Sequence, residues 1–423
     1  MENDIYKKSR VMYIIEAALE YLVSILVAGS FLATVTKEIG ISDGLTGIIS
    51  SFISLGCVFQ LFSLFVRRSR MKPFVIAFSI VNQLLFMLVY VIPVVNIGTS
   101  AKTVLFVITL FSAYFVYNIA HPKKINWFMS LVSDGARGRF TANKEIISLV
   151  AGMAFTYTMG AVIDRFKAVG NIRTAFVLCA VVIFTLTVLH TVTMLLSKEK
   201  PNNEGFQKNI LKEKISVLSD KNVIRVAIVF VLWNIASYST IPFYGTYQIK
   251  ELGFSLTFVS VLQIISSFAR LIFSRFMGSF ADKKSFAVMI RLCFIITGVG
   301  FACGVFCVPQ NGRVLFAGYS ILHAISMAGI NSALINLVFD NVPSEKRADS
   351  LAISQALSGV AGFVATLCIS PLVEHIQKNG NRLFGLNIYA QQVTSLIALS
   401  FTVIAIAYVS IFIIGKRVKR NDA

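Results

Sequence analysis

The sequence predicts an all-α polytopic membrane protein, with twelve transmembrane helices arranged as two pseudo-symmetric six-helix bundles. Three observations carry this: an apolar, charge-poor composition, a succession of apolar runs of membrane-spanning length, and a pattern that repeats halfway along the chain. Of 423 residues, 56% are hydrophobic and 14% charged, against about 45–50% and about 25% in soluble domains. A spanning helix needs about 20 largely apolar residues. Such runs lie at 11–33, 44–66, 73–95, 103–120, 146–163, 174–196, 223–245, 256–277, 286–308, 312–338, 351–373 and 390–414.

The runs are rich in Val, Ile, Phe and Thr, which favour strands in water. In lipid, backbone groups must pair within the protein, so helices or a closed barrel are the only spanning solutions. Barrel strands are about ten residues long and alternate in polarity; these runs are longer and do not alternate. The first run carries Glu16 and Glu20 and lacks a small-x-small exit site, so a retained helix is expected rather than a cleaved leader. Cys57, Cys179, Cys293, Cys303, Cys307 and Cys368 all fall in or beside apolar runs. They read as small buried hydrophobes, with no metal site among them.

The net charge of +19 is distributed by side. With the N-terminus in the cytoplasm, 28 Lys and Arg fall in inside segments and nine in outside turns. Arg270 and Arg291 remain within or near spans. This asymmetry places both termini inside, on an even number of spans. The basic face is expected to meet anionic lipid heads, and nothing in it calls for nucleic acid. The expected location is the plasma membrane, and the expected state a monomer.

At an offset of 210 residues the chain repeats itself. Arg137-Gly138-Arg139 corresponds to Arg347-Ala348-Asp349, Ala151-Gly152 to Ala361-Gly362, Asp164 to Glu374, and Gly170-Asn171 to Gly380-Asn381. Copies of like orientation need an even number of helices each, and six fits. The expected domains are therefore residues 1–196 and 223–423, joined by a polar cytoplasmic linker over 197–222 with a short amphipathic helix around Ile210–Leu218.

The turn after the eighth run reads Gly278-Ser279-Phe280-Ala281-Asp282-Lys283-Lys284. It resembles the acidic-basic turn between the second and third helices of a half in the major facilitator superfamily. Its first-half counterpart, Arg67-Arg68-Ser69-Arg70-Met71-Lys72, has no aspartate. Trp127 to Asp134, Arg137-Gly138-Arg139-Phe140 and Gly160-Ala161-Val162-Ile163-Asp164-Arg165 extend the resemblance, which covers the chain from first to last span. It implies two bundles around a central cavity that opens alternately to each side, with spans 1, 4, 7 and 10 lining the cavity. It also implies a gating role for Gly278, Asp282 and Lys283. In physical terms the glycine allows close helix approach, and the aspartate caps a helix or holds a basic partner.

Glu16 and Glu20 are the sharpest polar feature. Four apart, they share a helix face, and Glu20 falls near mid-membrane if the helix begins by Val11. Carboxylates there face protein or a wet cavity. Their functional reading is proton coupling or binding of a cationic group; the structural reading is a buried ion pair, with Arg270 or Arg291 as candidate partners. Ser24 extends the face. Further candidates for a substrate cavity are Tyr114 and Asn118, Asn234 and Tyr238, His323 and Asn331, and Arg270, which suits either a buried ion pair or an anionic solute group. Asn82, Gln83 and Gln263 are softer. His190 is placed near the inner interface, and His121 and His375 are given no role.

No phosphate loop, zinc set, haem motif or nucleophile elbow is present in the sequence. The expected function is secondary active or facilitative transport of a small solute, without cofactor and without ATP, with protons as a candidate co-substrate through Glu20 and Glu16. Two alternatives stand beside it: a non-transporting sensor or assembly protein on a transporter fold, and an intramembrane lipid-handling enzyme. A continuous polar cavity favours the first reading, an apolar midline the second, and a lateral opening with a catalytic pair the third.

Overall fold

The computed structural model describes residues 5–60, 62, 70–132, 137–200, 220–342 and 347–414, with side chains set aside at 57, 137–139, 142, 348 and 349. The expected amphipathic helix at Ile210–Leu218, and the first half of the Arg67–Lys72 turn, lie outside these residues. The chain is an all-α membrane protein. Among the described residues, ten helices are long and apolar enough to span, with mean hydropathy of 1.6 to 2.6, or eleven if a bent pair at the start counts as one span. Large apolar side chains such as Val104, Ile108, Val150 and Phe276 stand exposed on the outer faces. In water that would be a liability; against acyl chains it is the solvent-matched surface.

The helices in the first half of the chain are α1 (Lys7–Leu26), α2 (Gly29–Ile39), α3 (Asp43–Ser50), α4 (Phe52–Phe59), α5 (Lys72–Val91), α6 (Thr99–Met129), α7 (Arg137–Ala168) and α8 (Ile172–Leu196). The second half holds α9 (Lys221–Tyr238), α10 (Ile241–Thr246) with a π-turn to Glu251, α11 (Leu256–Lys283), α12 (Phe286–Val305), α13 (Gly312–Asn341), α14 (Arg347–Lys378) and α15 (Ala390–Tyr408). A two-residue hairpin pairs Arg382 with Asn387 between α14 and α15.

The first expected span is not one rod. α1 and α2 meet at a 41° bend, where Ala28 is extended and Gly29 adopts φ +52°. The opposite half has a matching break at Ser239–Thr240, followed by Pro242. The two breaks meet: a Cβ on Gly245 would lie 2.6 Å from the Gly29 carbonyl oxygen, so only glycine permits this approach. Span 4 also differs. It was bounded at residue 120, before His121-Pro122-Lys123-Lys124, but α6 continues through Pro122 to Met129. Proline is tolerated in a membrane helix when neighbours satisfy the freed carbonyl. Cys368 is exposed, unlike Cys179, Cys293 and Cys307.

Contacts that join the two halves cluster on the side away from the chain ends. Asp43 pairs with Lys250 and accepts a 2.6 Å bond from Gln377. Ser42 Oγ donates to Glu374 at 2.6 Å, and Ser30 Oγ donates to Gln248. Asp164 accepts from the backbone N–H groups of Leu256 at 3.1 Å and Thr257 at 2.8 Å. Ser260 Oγ donates to the Thr156 carbonyl, beside Gly160. The far side is thus sealed.

Candidate functional site: a buried carboxylate–lysine–histidine cluster

α1 carries Glu16 and Glu20 on one face, toward α6 and α8. Lys124 of α6 enters between them: its Nζ donates to Glu16 Oε1 at 2.8 Å and also to Glu20. His190 of α8 completes the set, with Nε2 at 2.8 Å from the same Glu16 oxygen and 3.6 Å from Glu20. Glu16 is wholly buried, and Lys124 and His190 nearly so; the Glu20 side chain alone keeps about a fifth of its surface open, at 20%. His121 approaches Glu20 to 4.0 Å from one turn before Lys124, and its ring lies against Tyr117. Glu20, Phe78, Ser79, Asn82, Tyr117, Ala120, His121 and Lys124 line a small cavity here.

The local sequence explains the convergence. Tyr117, His121 and Lys124 are spaced i, i+4, i+7, one stripe of α6. Pro122 removes one backbone donor at this level without ending the helix. From Lys7, Glu20 lies roughly 20 Å along the helix at about 1.5 Å per residue, well inside the bundle.

The donor atoms of Glu16, Glu20 and His190 lie within 4.8 Å of one another, close enough to hold a cation. The cation between them is the Lys124 ammonium. Two carboxylates against one ammonium leave one negative charge, and buried net charge is strongly unfavourable. A single proton, on His190 or on a carboxylate, brings the cluster to neutrality.

Sequence reasoning found both carboxylates but assigned them the wrong partners. Neither Arg270 nor Arg291 is paired with them. Lys124 was counted among the basic residues of an inside loop, His121 was given no role and His190 was placed at the interface. The readable signal was the Tyr117–His121–Lys124 stripe, hidden because the apolar run stops at Ala120.

A family model described as the Major Facilitator Superfamily matches residues 14–366. The chain belongs to the major facilitator superfamily. No curated protein matches the sequence. Among solved structures, the chain is similar to the nucleoside transporter NupG, with TM-score 0.71 at 14% identity, over 96% of this chain and 99% of that one. It is similar to a D-xylose-proton symporter, with TM-score 0.67 at 13% identity, over 94% and 97%. A third is a bacterial homologue of the lysosomal transporter Spinster in an inward-facing, unoccupied conformation, with TM-score 0.65 at 11% identity, over 97% of each chain. Superfamily membership makes the chain a multi-pass secondary transporter of a small solute, working by alternating access, and not a catalytic enzyme.

The other candidate residues of this superfamily member fall into four groups. Ser24 donates to the Tyr21 carbonyl of its own helix. Asn234 likewise bonds back to Phe230. Tyr114 is buried against Phe86, and Asn118 bonds to Tyr114 and Gln60. Tyr114 and Asn118 are buried, and Ser24 and Asn234 are half-buried. Tyr238 packs against Gly362 of α14, as Tyr21 packs against Gly152 of α7, so the Gly152–Gly362 repeat marks equivalent helix crossings. His323 stacks between Tyr319 and Trp233, and its buried Nδ1 has no hydrogen-bond partner. Asn331 and Arg270 are exposed.

Gly278, Asp282 and Lys283 are not in a loop: they form the last turns of α11. A Cβ on Gly278 would meet open space, and Asp282 and Lys283 are exposed. The close approach expected of this glycine is therefore not made in this conformation, in which the seam on the far side is closed.

Proposed function

We propose that this transporter couples solute movement to protons through Glu16, Glu20, Lys124 and His190, within two six-helix bundles, residues 1–196 and 223–423, whose termini both face the cytoplasm. The observation that carries the reading is the unbalanced charge of the cluster. Two carboxylates hold one lysine in a nearly dry site, and only Glu20 reaches open space. One proton settles the charge, and that proton has one route in and out, by way of Glu20. His190 and Glu16 share a 2.8 Å contact, so a proton arriving at Glu20 can pass inward without large motion.

The cluster ties α1, α6 and α8 together within the first half, away from the sealed far side. Protonating Glu20 weakens its hold on Lys124 and frees α1 to tilt against α6. A deprotonated Glu20 keeps the ammonium clamped. Proton occupancy thereby biases which side of the cavity is open, and a bias of about 1.4 kcal/mol shifts the balance of states tenfold. A D-xylose-proton symporter shares the fold, so proton coupling is compatible with the architecture.

The test is proton exchange by purified protein in weakly buffered detergent, read with a pH dye as candidate solutes are added. Solutes are first selected by thermal stabilisation. The expected result is a solute-dependent pH change of about one proton per protein, absent in Glu20→Gln. An equal change in that variant would refute the assignment.

A further inference from the structure

α11 has two opposed faces. One carries Val261, Ile265, Phe268, Ile272 and Phe276, all exposed and all apolar; at about 100° per residue these five fall on one stripe, which suits lipid. The opposite stripe runs Leu256, Ser260, Gln263, Ser267, Arg270, Ser274. Its beginning is packed: Leu256 and Ser260 lie against Gly160 and Thr156 of α7. Further along, Gln263, Arg270 and Ser274 on that same stripe are exposed. A guanidinium facing acyl chains is strongly disfavoured, so this part of the stripe faces water. The gap it faces lies between the halves, because the start of the same stripe is packed on α7 of the first half, and Tyr21 of α1 lies on Gly152, one turn from Thr156 along α7.

Arg270 forms no ion pair with a described residue. The buried Oγ of Ser266, one turn before it on α11, has no hydrogen-bond partner. A fork of N–H donors and an unpartnered hydroxyl stand on adjoining turns of α11, and no described carboxylate pairs with them. Oxyanions, which accept several such bonds at once, match that set.

We infer that the transported solute is an anion bearing a carboxylate or phosphate group, held between the halves by Arg270 with Ser266. This deepens the transporter reading and rests on it, but not on proton coupling. It gives the two sites a common element. α1 presents Glu20 to the proton cluster and the adjacent Tyr21 to the Arg270 gap, so an anion drawn toward Arg270 and a proton drawn toward Glu20 act on one helix.

The test uses the purified full chain in detergent, with thermal unfolding and calorimetric titration as readouts. Probes are acetate, benzoate, inorganic phosphate and phenyl phosphate, each set against acetamide, benzamide or benzylamine. At least one anion should stabilise the wild type where its uncharged and cationic counterparts do not. Arg270→Ala should weaken that binding at least tenfold, and Arg270→Lys should weaken it less. A second arm adds phosphatidylglycerol: Arg270-dependent binding of this lipid, with no soluble anion effective, would assign the site to a lipid headgroup and overturn a soluble solute. A third measurement needs no ligand. Arg270→Cys, in a background with exposed Cys368 replaced by Ser, should react with a membrane-impermeant methanethiosulfonate faster than that background itself. Labelling of Arg270→Cys no faster than its background, anion binding unchanged in Arg270→Ala, or no stabilisation specific to any anion would refute the inference. Loss of proton coupling with Arg270-dependent anion binding intact would refute only the coupling scheme.

Discussion

Asp164 of α7 and Glu374 of α14, 210 residues apart (374 − 164), each reach across the seam to the first turn of a helix in the opposite half. Asp164 accepts from the free N–H groups of Leu256 and Thr257 at the start of α11. Glu374 accepts from the hydroxyl of Ser42, the N-cap of α3. A carboxylate at a helix N-terminus offsets unpaired N–H groups and the helix dipole. The charges therefore stabilise the closed far side and are lost when it opens.

Asp164→Ala and Glu374→Ala should each favour opening of the far side. Loss of a cap is typically worth about 1 kcal/mol, roughly fivefold in the ratio of states. Spin labels at Lys37→Cys and Lys378→Cys, with exposed Cys368 replaced by Ser, would report a larger fraction of long distances in either variant. An unchanged distance distribution would deny these caps a part in the seal.

Lys124→Ala should be severely destabilising. It strands the buried Glu16 carboxylate, and breaking a buried pair costs about 3–5 kcal/mol. The double variant Lys124→Ala with Glu16→Gln should recover part of the loss. Thermal melts of the single and double variants in detergent would measure this coupling. Purely additive losses would mean that the 2.8 Å contact contributes little.

Gly278→Leu should fold normally, with stability changed by no more than about 0.5 kcal/mol, since its side chain would enter open space here. On the gating role that the superfamily resemblance implies for this turn, it should nevertheless slow solute exchange sharply, since helices would approach there in the other state. Normal exchange at normal stability would remove Gly278 from the gate.

Lys102 and Lys378 should both be reached by impermeant reagents from outside intact cells after substitution by cysteine. Cytoplasmic labelling of either would reverse the orientation taken from the charge asymmetry. Lys124, one of the 28 residues behind that asymmetry, is in fact buried, but removing it leaves the bias intact.

Much of the fold was legible because lipid imposes a simple rule: long apolar runs must be helices. The pairing of Glu16 with Glu20 was legible from spacing alone. Their partners were not, since hydropathy ends α6 at Ala120 and reads Pro122 and Lys124 as loop. Nothing local distinguishes a lysine that turns back into the bundle from one that meets headgroups; the two waiting carboxylates decide it. The bends at Gly29 and Thr240 were equally hidden, because they depend on the meeting of two breaks distant in sequence. Arg270 was visible as an intramembrane charge, but its setting came only with the two faces of α11.

Glu20 is the most direct point of test. In proteoliposomes carrying an imposed pH gradient, the wild type should accumulate its solute, while Glu20→Gln should lose accumulation and retain exchange of labelled for unlabelled solute. Undiminished gradient-driven accumulation in Glu20→Gln would contradict the account and leave the cluster a structural clamp.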